Sequence, residues 1–531
     1  MEGCWVMVMV AAAAAMAMGY RLWLRPERLR RAMVQQGLVV SAYRPFLGDL
    51  RLIRRLQLQA QLSPLPLSSS HRLFLPYILP FYYKLYWQHP GSRVVCWFGN
   101  LPVLVITKAD DARCVLATDV KHLRRPIASR RVFHRLMGHG LILADGEDWH
   151  LQRGLVRPAF FLEKLKGMVK DMTTSALNMI HVWEMHASKG GCAKDVEMEV
   201  AHDLKKVAAD ILARTMFGTS YIKGKSVFER QEQLLRLITK DSVPLAAIPF
   251  FNRCLPTYKN RKMWAMDKQN NKELREIIEL RKTTAVTAGI DTKSNLPYGT
   301  DLLGYVLSAM EEEGKLGKKG SHLTTQQVID ECKTFFFSGH ETSARLLAWT
   351  MVQLSLHQAW QEKARQEVLK VCGNQGAPRA DDLNKLKIVG MILNETLRLY
   401  PILPEFGRRQ LYKDVRLDDG TVLPQGMGIV IACAFIHMDE DVWGADAAEF
   451  RPERFAEGVS QACKNPSAFL PFGSGPRTCI GQQFALMEAK VTIALILQHF
   501  RFRLSPRYRH APVGPFGLRP KHGVQLLLER L

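Results

Sequence analysis

The chain has 531 residues, of which 47% are hydrophobic, and a formal net charge of +23. This length allows one large core or several domains. The basic balance predicts contact with an acidic protein surface or an anionic membrane. Nucleic-acid binding is not predicted, because the sequence has no basic run interleaved with aromatic residues. The ten cysteines include no Cys-x-x-Cys pair, which excludes zinc ribbons and redox-pair sites and is typical of a reducing compartment.

The N-terminus carries an uncharged run of about 18 residues, 3–20, which is just long enough to cross a bilayer as a helix. The arginines that follow it are Arg21, Arg25, Arg28, Arg30 and Arg31. A cleaved signal peptide is the alternative, but such peptides carry their positive charge before the apolar core, where this chain has only Glu2. The basic cluster therefore predicts an uncleaved single-pass anchor over residues 1–24, with the rest of the chain in the cytosol.

A segment rich in proline and serine, residues 61–71, predicts a hinge after the anchor. We therefore expect three parts in the chain. They are the anchor at 1–24, a basic juxtamembrane segment with the hinge at 25–71, and a large body at 72–531.

The first part of the body predicts a hairpin followed by helices. Residues 93–107 hold two short β-rich runs, as in a hairpin. Residues 133–148 predict a loop, and the helix after it places Trp149 and Arg153 four residues apart on one face. Such a pair is ordinarily a partly exposed tryptophan beside a solvated arginine, so its meaning depends on the other motifs. Residues 160–217 then predict continuous helix.

Residues 242–258 are apolar and are interrupted by three prolines. An exposed loop of this composition would touch lipid and admit an apolar substrate. An ordinary loop of the core has the same composition, and the sequence leaves both interpretations open.

A long central helix is predicted from Thr324, whose side chain forms a capping box with Gln327, to about residue 357. Gly339 lies inside it and costs the helix roughly 1 kcal/mol relative to alanine, which indicates close approach of a flat group or a local opening. Glu341 and Thr342 place an acid and a hydroxyl in the next turn of an otherwise apolar run. Ser338 either bonds to a substrate or bonds back to its own helix.

Two further motifs follow. Glu395 and Arg398 stand three residues apart on one helix, as in many surface ion pairs. Residues 452–455 read Pro-Glu-Arg-Phe and supply a second arginine, Arg454. Between the two motifs, residues 401–409, with two prolines, a glycine and two arginines, predict a turn that faces the substrate.

The most informative stretch is residues 472–481, which place Cys479 in a turn with three glycines, a proline and Arg477. The glycines allow positive φ and leave N–H groups free to point at the sulfur. The arginine is suited to an anionic cofactor group or to lowering the pKa of the thiol. A helix predicted over residues 482–499 adds positive potential from its N-terminus.

The pattern Phe-x-x-Gly-x-Arg-x-Cys-x-Gly resembles the haem-binding loop of the cytochrome P450 monooxygenases. The other motifs occur in that family's order along the chain. The resemblance implies a mainly α cytochrome P450 fold, with a large helical part and a small β-rich part after an N-terminal transmembrane helix. It also implies haem b as cofactor, with Cys479 as the axial ligand of its iron.

The resemblance assigns roles to the other motif residues. Thr342 and Glu341 would be catalytic, delivering protons to dioxygen during its reduction. Glu395, Arg398 and Arg454 would form a structural network behind the haem. The residues expected to bind the cofactor are Cys479, Trp149, Arg153, Arg477, Phe472, Gly473, Gly339, Arg408 and Arg409. For the last two, spacing does not decide which arginine meets a propionate.

The implied reaction inserts one oxygen atom of O2 into a hydrophobic small molecule. Electrons would come from NADPH through NADPH–cytochrome P450 reductase, a flavoprotein that suits the basic charge of this chain. The resemblance places the protein in the endoplasmic reticulum membrane, in contact with membrane lipid, with the catalytic body in the cytosol.

The substrate is expected to be a plant hormone. The stretches VIDECKTFFFSGHETS, GHGLILADGEDWHLQR and YRHAPVGPFGLRPKHGV most resemble the plant clan that contains the cytokinin hydroxylases, which favours hydroxylation of an isopentenyl side chain. Gibberellin, brassinosteroid and fatty-acid hydroxylation stay open, because one fold hosts many substrates. Outside monooxygenation, the alternatives are a haem-thiolate isomerase or dehydratase and a haem-binding sensor.

Overall fold

A computed structural model describes residues 2–62, 65–66, 74–118, 120–189, 195–218, 221–240, 256–287, 297–315, 323–374, 376–514 and 517–531. Most of the predicted hinge at 61–71 lies outside these residues, as does most of the apolar segment at 242–258. The descriptions below apply to the described residues alone.

Helices make up most of the described chain. The first five are α1 (Glu2–Gly19), α2 (Arg25–Gln35), α3 (Leu50–Leu62), α4 (Phe74–Ile78) and α5 (Pro80–Gln88). Next come α6 (Ala109–Ala117), α7 (Ile127–Met137), α8 (Gly146–Val156), α9 (Leu162–Lys189) and α10 (Ala201–Phe217). They are followed by α11 (Tyr221–Lys240), α12 (Tyr258–Thr287), α13 (Leu302–Lys315), α14 (Thr325–Leu356) and α15 (Gln358–Cys372). The last are α16 (Lys387–Leu399), α17 (Cys433–Ile436), α18 (Glu440–Trp443) and α19 (Gln482–His499).

The larger sheet has six strands in the order β1-β2-β3-β9-β6-β4. Its strands are β1 (Val39–Val40), β2 (Val94–Phe98), β3 (Leu101–Ile106), β4 (Leu123–Arg124), β6 (Phe406–Leu411) and β9 (Gly428–Ile431). β2 and β3 pair antiparallel, so the predicted hairpin is confirmed. β6 pairs antiparallel with β9 and places the two arginines of the predicted turn on a sheet strand.

A second sheet joins three distant parts of the chain in the order β10-β13-β5. Its strands are β5 (Asp195–Glu199), β10 (Phe500–Leu504) and β13 (Gln525–Arg530), all antiparallel. Two short hairpins complete the strands. They are β7 (Val415–Arg416) with β8 (Val422–Leu423), and β11 (Pro512–Val513) with β12 (Arg519–Pro520).

The centre of the helical part is α14, which is buried along most of its length. The predicted capping box is present: the amide of Gln327 donates to the Thr324 hydroxyl oxygen and the Gln327 side chain accepts from the Thr324 amide. Because the helix is apolar on most faces, it packs on all sides, against α10, α16 and α19 among others. The helix predicted after the cysteine loop also begins and ends as expected, at Gln482 and His499.

Two predictions of local structure were wrong in part. The loop expected from residue 133 begins only after Met137, because α7 places Leu136 and Met137 in a buried cluster. The continuous helix expected over residues 160–217 is interrupted by β5. That strand pairs in full register with β13 near the C-terminus, and such a distant partner is invisible to local sequence patterns.

The N-terminal helices form one nearly continuous rod. α1 passes through a π-helical turn, Tyr20–Leu24, into α2. Among the described residues, one helix, Trp5–Gln35, is long and apolar enough to cross a membrane. Beyond it, Met33 and Leu38 are buried in the core beneath the larger sheet.

Candidate active site

The loop before α19 holds Cys479 in a closed turn. The Cys479 amide donates to the carbonyl of Phe472 over 2.9 Å, which brings the two ends of the turn together. Gly473 and Gly475 both have positive φ, of 68° and 71°, a conformation in which side chains are strained. A Cβ on Gly475 would overlap the carbonyl of Leu116 in α6. The glycines therefore let the loop pack directly on neighbouring backbone.

The sulfur of Cys479 lies deep in the protein and keeps an accessible surface. Burial raises the pKa of the thiol, while the Gly481 amide, which points at the sulfur, and the charge of Arg153 both lower it. A side chain that is enclosed by protein and still accessible faces an interior space. This is the geometry needed by a sulfur that binds a metal in a flat cofactor.

Four arginines gather beside this loop. Arg477 donates to the Ala144 carbonyl over 2.9 Å and to Asp145 over 3.0 Å, and its guanidinium lies 4.8 Å from the ring centroid of Trp149. Arg153 lies over the other part of the same ring, at 5.7 Å. Burial, and then the charge of a neighbouring arginine, lower the pKa of Arg477 to about 9.

The remaining members of the cluster are Arg125 and Arg409. Burial and the charge of Arg477 lower the pKa of Arg125 to about 10. Burial and the charge of Arg125 lower the pKa of Arg409 well below its usual value. Asp145 is the carboxylate that acts on the pKa values of three of these arginines. Four guanidiniums beside one carboxylate leave an uncompensated positive charge in a poorly solvated place.

The residues present fit haem. A porphyrin carries two propionate carboxylates, which would neutralise the excess charge of the cluster. The Nε atoms of Arg125 and Arg477 are buried and have no hydrogen-bond partner in the described structure, so both side chains have donors to spare. The accessible Cys479 sulfur lies next to this cluster, since it acts on the pKa of Arg153. The site thus offers a thiolate and an anion-binding edge together.

The structure separates the two arginines that the sequence left undecided. Arg408 donates to Glu405 over 2.8 Å and lies 4.4 Å from the ring centroid of Phe98, and no arginine of the cluster is among the groups that shift its pKa. Arg409 joins the cluster around Asp145. Phe406, in the same strand, packs its ring against Gly473 of the cysteine loop.

On α14 the hydroxyls bond back to their own helix. Ser338 donates to the Thr334 carbonyl over 2.7 Å, and Thr342 donates to the Ser338 carbonyl over 2.6 Å. Gly339 faces Leu212 of α10, and an added Cβ would stand 3.0 Å from two of its methyl groups. The contact between the two helices is enough to explain this glycine, so a cofactor contact of Gly339 stays a prediction.

Glu341 is held between two cations. Lys205 of α10 lies 2.5 Å from one carboxylate oxygen, and Arg345, one turn further along α14, lies 3.0 Å from the other. Burial alone would raise the pKa of Glu341, yet the charges of Arg345 and Lys205 lower it to about 2. Lys205 also contacts Glu232 of α11 at 3.1 Å. The acid is therefore ionised and connected to two other helices.

The three residues expected to be structural do meet. Arg398 forms a two-pronged ion pair with Glu395, at 2.7 Å for each oxygen, and both side chains are fully buried. Arg454 lies 3.5 Å from the same carboxylate and pairs with Asp446 at 2.6 Å. The network ties α16 to the segment before the cysteine loop.

Sequence reasoning missed several residues of the site. Arg125 lies in a connecting segment without any motif, and Asp145 lies inside the stretch GHGLILADGEDWHLQR, which assigned it no role. Lys205 stands on a helix far away in the chain, with no periodic signal to mark it. Arg345 had a usable signal, because it follows Glu341 at i, i+4 spacing.

Comparison with known proteins identifies the family. The model of the family described as Cytochrome P450 matches residues 77–526. Cytochrome P450 CYP72A616 of Paris polyphylla is 40% identical over 527 residues, covering 98% of both chains. Cytochrome P450 734A1 of Arabidopsis thaliana is 36% identical over 513 residues, 96% of this chain and 93% of the relative. The 11-oxo-beta-amyrin 30-oxidase of Glycyrrhiza uralensis is 38% identical over 541 residues, 99% of this chain and 98% of the relative. The chain therefore belongs to the cytochrome P450 family of haem monooxygenases, within the plant group of these relatives.

Proposed function

We propose that this monooxygenase uses haem b, ligated by Cys479, to hydroxylate a carbon of an isoprenoid-derived plant hormone. The observation that supports the cofactor site is the accessible, deeply placed sulfur beside four arginines that face one carboxylate. When bound, the haem supplies the iron at which dioxygen is activated, with the thiolate donating electron density.

Residues of the chain hold the cofactor and adjust the basicity of its sulfur ligand. Arg125, Arg409 and Arg477 bind the propionates and thereby orient the cofactor over the cysteine loop. The Gly481 amide directs a hydrogen bond at the sulfur and limits its basicity. Trp149 holds Arg477 in place by its ring face.

Protons reach the reacting oxygen along α14 in this proposal. Each turnover takes up two electrons and two protons, and yields one hydroxyl group and one water. The Thr342 hydroxyl donates a hydrogen bond to the Ser338 carbonyl, one helical turn back, and the hydroxyl oxygen keeps lone pairs with which to accept a proton. The neighbouring Glu341, ionised between Lys205 and Arg345, lies on the side of the helix that faces α10 and α11 and is the acid of this proposed relay.

We infer two substrate classes, of which the first is the isopentenyl side chain of a cytokinin. Support for it is the local sequence resemblance around Thr342, Trp149 and the C-terminal segment. The second class is a polycyclic terpenoid or steroid, including gibberellins and brassinosteroids. Support for that class is the full-length similarity to a protein named as an 11-oxo-β-amyrin oxidase. Fatty acids complete the set to be tested.

The proposed setting is the endoplasmic reticulum membrane. The apolar helix near the N-terminus fits an anchor, and the arginines after it fit a cytosolic body. Electrons come from NADPH through the membrane flavoprotein NADPH–cytochrome P450 reductase, whose acidic surface complements the charge of +23.

The cofactor assignment is tested by Cys479→Ser with Cys463→Ser as the matched control. Cys463 is a free, half-buried cysteine whose thiol donates to the Asn465 carbonyl, a bond that serine can replace. We expect the carbon monoxide difference spectrum of the reduced protein to lose its thiolate-type Soret band in C479S and to keep it in C463S. A thiolate-type band that persists in C479S would refute the assignment.

The substrate assignment is tested by turnover with reductase and NADPH. The panel contains isopentenyladenine, a gibberellin, a brassinosteroid, a β-amyrin derivative and a fatty acid, and the products are identified by mass spectrometry. Hydroxylation of isopentenyladenine on its side chain supports the first class. Product from a polycyclic substrate alone rejects it in favour of the second.

A further inference from the structure

A cavity of about 220 Å³ lies at the edge of the larger sheet, between the segment after β1 and helix α5. This is smaller than the volume of a typical drug-sized ligand site and suits a compact polar group. The cavity has an apolar floor and a basic rim. Leu52, Phe81 and Leu85 form the floor, and Arg44, Lys84 and His89 belong to the rim.

The rim has positive charge to spare. The Asp49 carboxylate lines the cavity but is occupied, since it accepts from the Trp97 amide at 2.9 Å and from the Ser41 hydroxyl at 2.6 Å. Arg44 forms an ion pair with it at 3.8 Å, too long for a hydrogen bond, so this carboxylate takes up none of the guanidinium donors. Within the described part of the chain, Lys84 has no carboxylate at ion-pair distance, so the cavity favours an anion.

The position of the cavity points to a membrane. The Tyr43 hydroxyl donates to the Leu22 carbonyl over 2.9 Å, and Leu22 lies in the last turns of the apolar anchor. Arg44, the next residue, is therefore held near the level at which the anchor leaves the hydrocarbon. Phe46 is 60% exposed and is the non-glycine residue with positive φ in the described structure, so the turn presents an aromatic side chain outward beside the cavity.

We propose that this cavity binds the phosphate group of an anionic phospholipid from the membrane that holds the anchor. Arg44 and Lys84 pair with the phosphate oxygens, and the floor of the cavity contacts the first carbons of the lipid chains. Phe46 enters the interface next to them. This site rests on the proposed membrane anchor and is independent of the proposed substrate.

The test uses the full-length protein in nanodiscs of phosphatidylcholine with a minority of phosphatidylglycerol. Native mass spectrometry counts the lipids that the released protein retains. We expect preferential retention of phosphatidylglycerol, and a loss on the order of tenfold in R44Q/K84Q, because each basic residue contributes severalfold to the binding of anionic lipid. The matched control, R51Q/R54Q, removes two exposed charges from the adjacent helix α3 and should leave retention unchanged.

Equal losses of phosphatidylglycerol retention in R44Q/K84Q and R51Q/R54Q would show that retention depends on diffuse surface charge, and would overturn the proposal. So would equal retention of the two lipids by the unaltered protein. Inorganic phosphate tested on the protein in phosphatidylcholine nanodiscs separates the sources, because tight binding of free phosphate without preferential retention of phosphatidylglycerol would reject a membrane lipid as the occupant.

A second variant tests the cavity without changing any charge, and its carbon monoxide spectrum checks that it is folded. Ala42 lines the cavity and is exposed, so Ala42→Trp fills the space while every charge remains. It should lose phosphatidylglycerol retention and keep the carbon monoxide spectrum of the unaltered protein. Retention that survives in this variant would overturn the cavity as the site. The lipid count and the hydroxylation products are separate readouts, so failure of either proposal leaves the other measurable.

Discussion

At the scale of single residues, the arrangement near Cys479 is governed by a charge imbalance. Burying guanidiniums beside too few carboxylates costs free energy, which a bound anion offsets. Burial and the neighbouring guanidiniums accordingly lower the pKa values of Arg477 and Arg125, to about 9 and about 10. A dianionic cofactor removes it, so retention of the cofactor should depend on these arginines one by one.

Arg409→Met is expected to speed haem loss by roughly tenfold to a hundredfold, the equivalent of one hydrogen bond to a charged group. The measurement is the rate of haem transfer to apomyoglobin. Arg408→Met is the matched control, because its guanidinium pairs with Glu405. Similar rates in the two variants would contradict the placement of Arg409 at a propionate.

The ionised state of Glu341 predicts a pH dependence. Its folded pKa of about 2 lies below the ordinary 4.5. The ion pairs of Glu341 therefore stabilise the fold above about pH 4.5, and this contribution is lost as the pH falls through 2. Removal of the Lys205 charge should raise the pKa of Glu341 toward the working range of the enzyme.

Lys205→Met should accordingly lower the fraction of NADPH that yields product as the pH is reduced from 7 to 5, with more hydrogen peroxide released. In the unaltered enzyme, the ratio of product formed to NADPH consumed should stay constant between pH 7 and pH 5. Lys206→Met, which removes an exposed lysine paired with Asp203 at 3.2 Å, serves as the control. The proposed role of the Glu341 pair is wrong if both variants have the same pH profile.

At the scale of elements, the cysteine loop is fixed by its contact with α6. Gly475 requires both positive φ and the absence of a side chain, because backbone of α6 fills the space where a Cβ would stand. Gly481, six residues later, has neither constraint, since its Cβ would only touch the Phe160 ring at 3.7 Å. Alanine substitutions at Gly475 and Gly481 therefore form a matched pair, because only the first position has a positive φ and lacks space for a Cβ.

Gly475→Ala should lower the free energy of unfolding by about 1–2 kcal/mol for the left-handed backbone and by a further roughly 1–3 kcal/mol for the overlap with Leu116. Gly481→Ala should change it far less. Thermal unfolding followed by loss of the Soret band gives the comparison. Equal shifts in the two variants would mean that the loop is free to move away from α6.

Local sequence signals predicted the elements whose cause is local. The capping box at Thr324 and the helix from Gln482 were read correctly because caps and apolar periodicity act within a few residues. Strand β5 was missed because its partner, β13, lies more than 300 residues away. The same reason hid Lys205 and Arg125, whose roles arise only when distant helices and loops come together.

At the scale of the whole molecule, the N-terminal region has two parts. Residues up to about Leu24 form the apolar part of the Trp5–Gln35 helix, which is the proposed anchor, while Met33, Leu38 and strand β1 are part of the folded body. A cut placed between these parts should separate membrane attachment from stability.

Deletion of residues 2–21 should leave the thermal unfolding midpoint of the body nearly unchanged. Deletion of residues 2–40 should lower it, because Met33 and Leu38 each contribute about 1.5–3 kcal/mol by burial and β1 is lost from the sheet. Unfolding of the two truncated proteins in the same detergent tests this expectation. Equal midpoints would place the boundary of the body after β1.

The position of β13 has a consequence for biosynthesis. It is the middle strand between β5 and β10 and follows β5 by more than 300 residues. During translation the earlier segments emerge first and begin to fold, yet Asp195–Glu199 must wait until residues 525–529 have been synthesised before its partner strand in this sheet can pair with it. A premature stop before Gln525 would therefore leave two orphaned strand edges and expose the nascent enzyme to quality control.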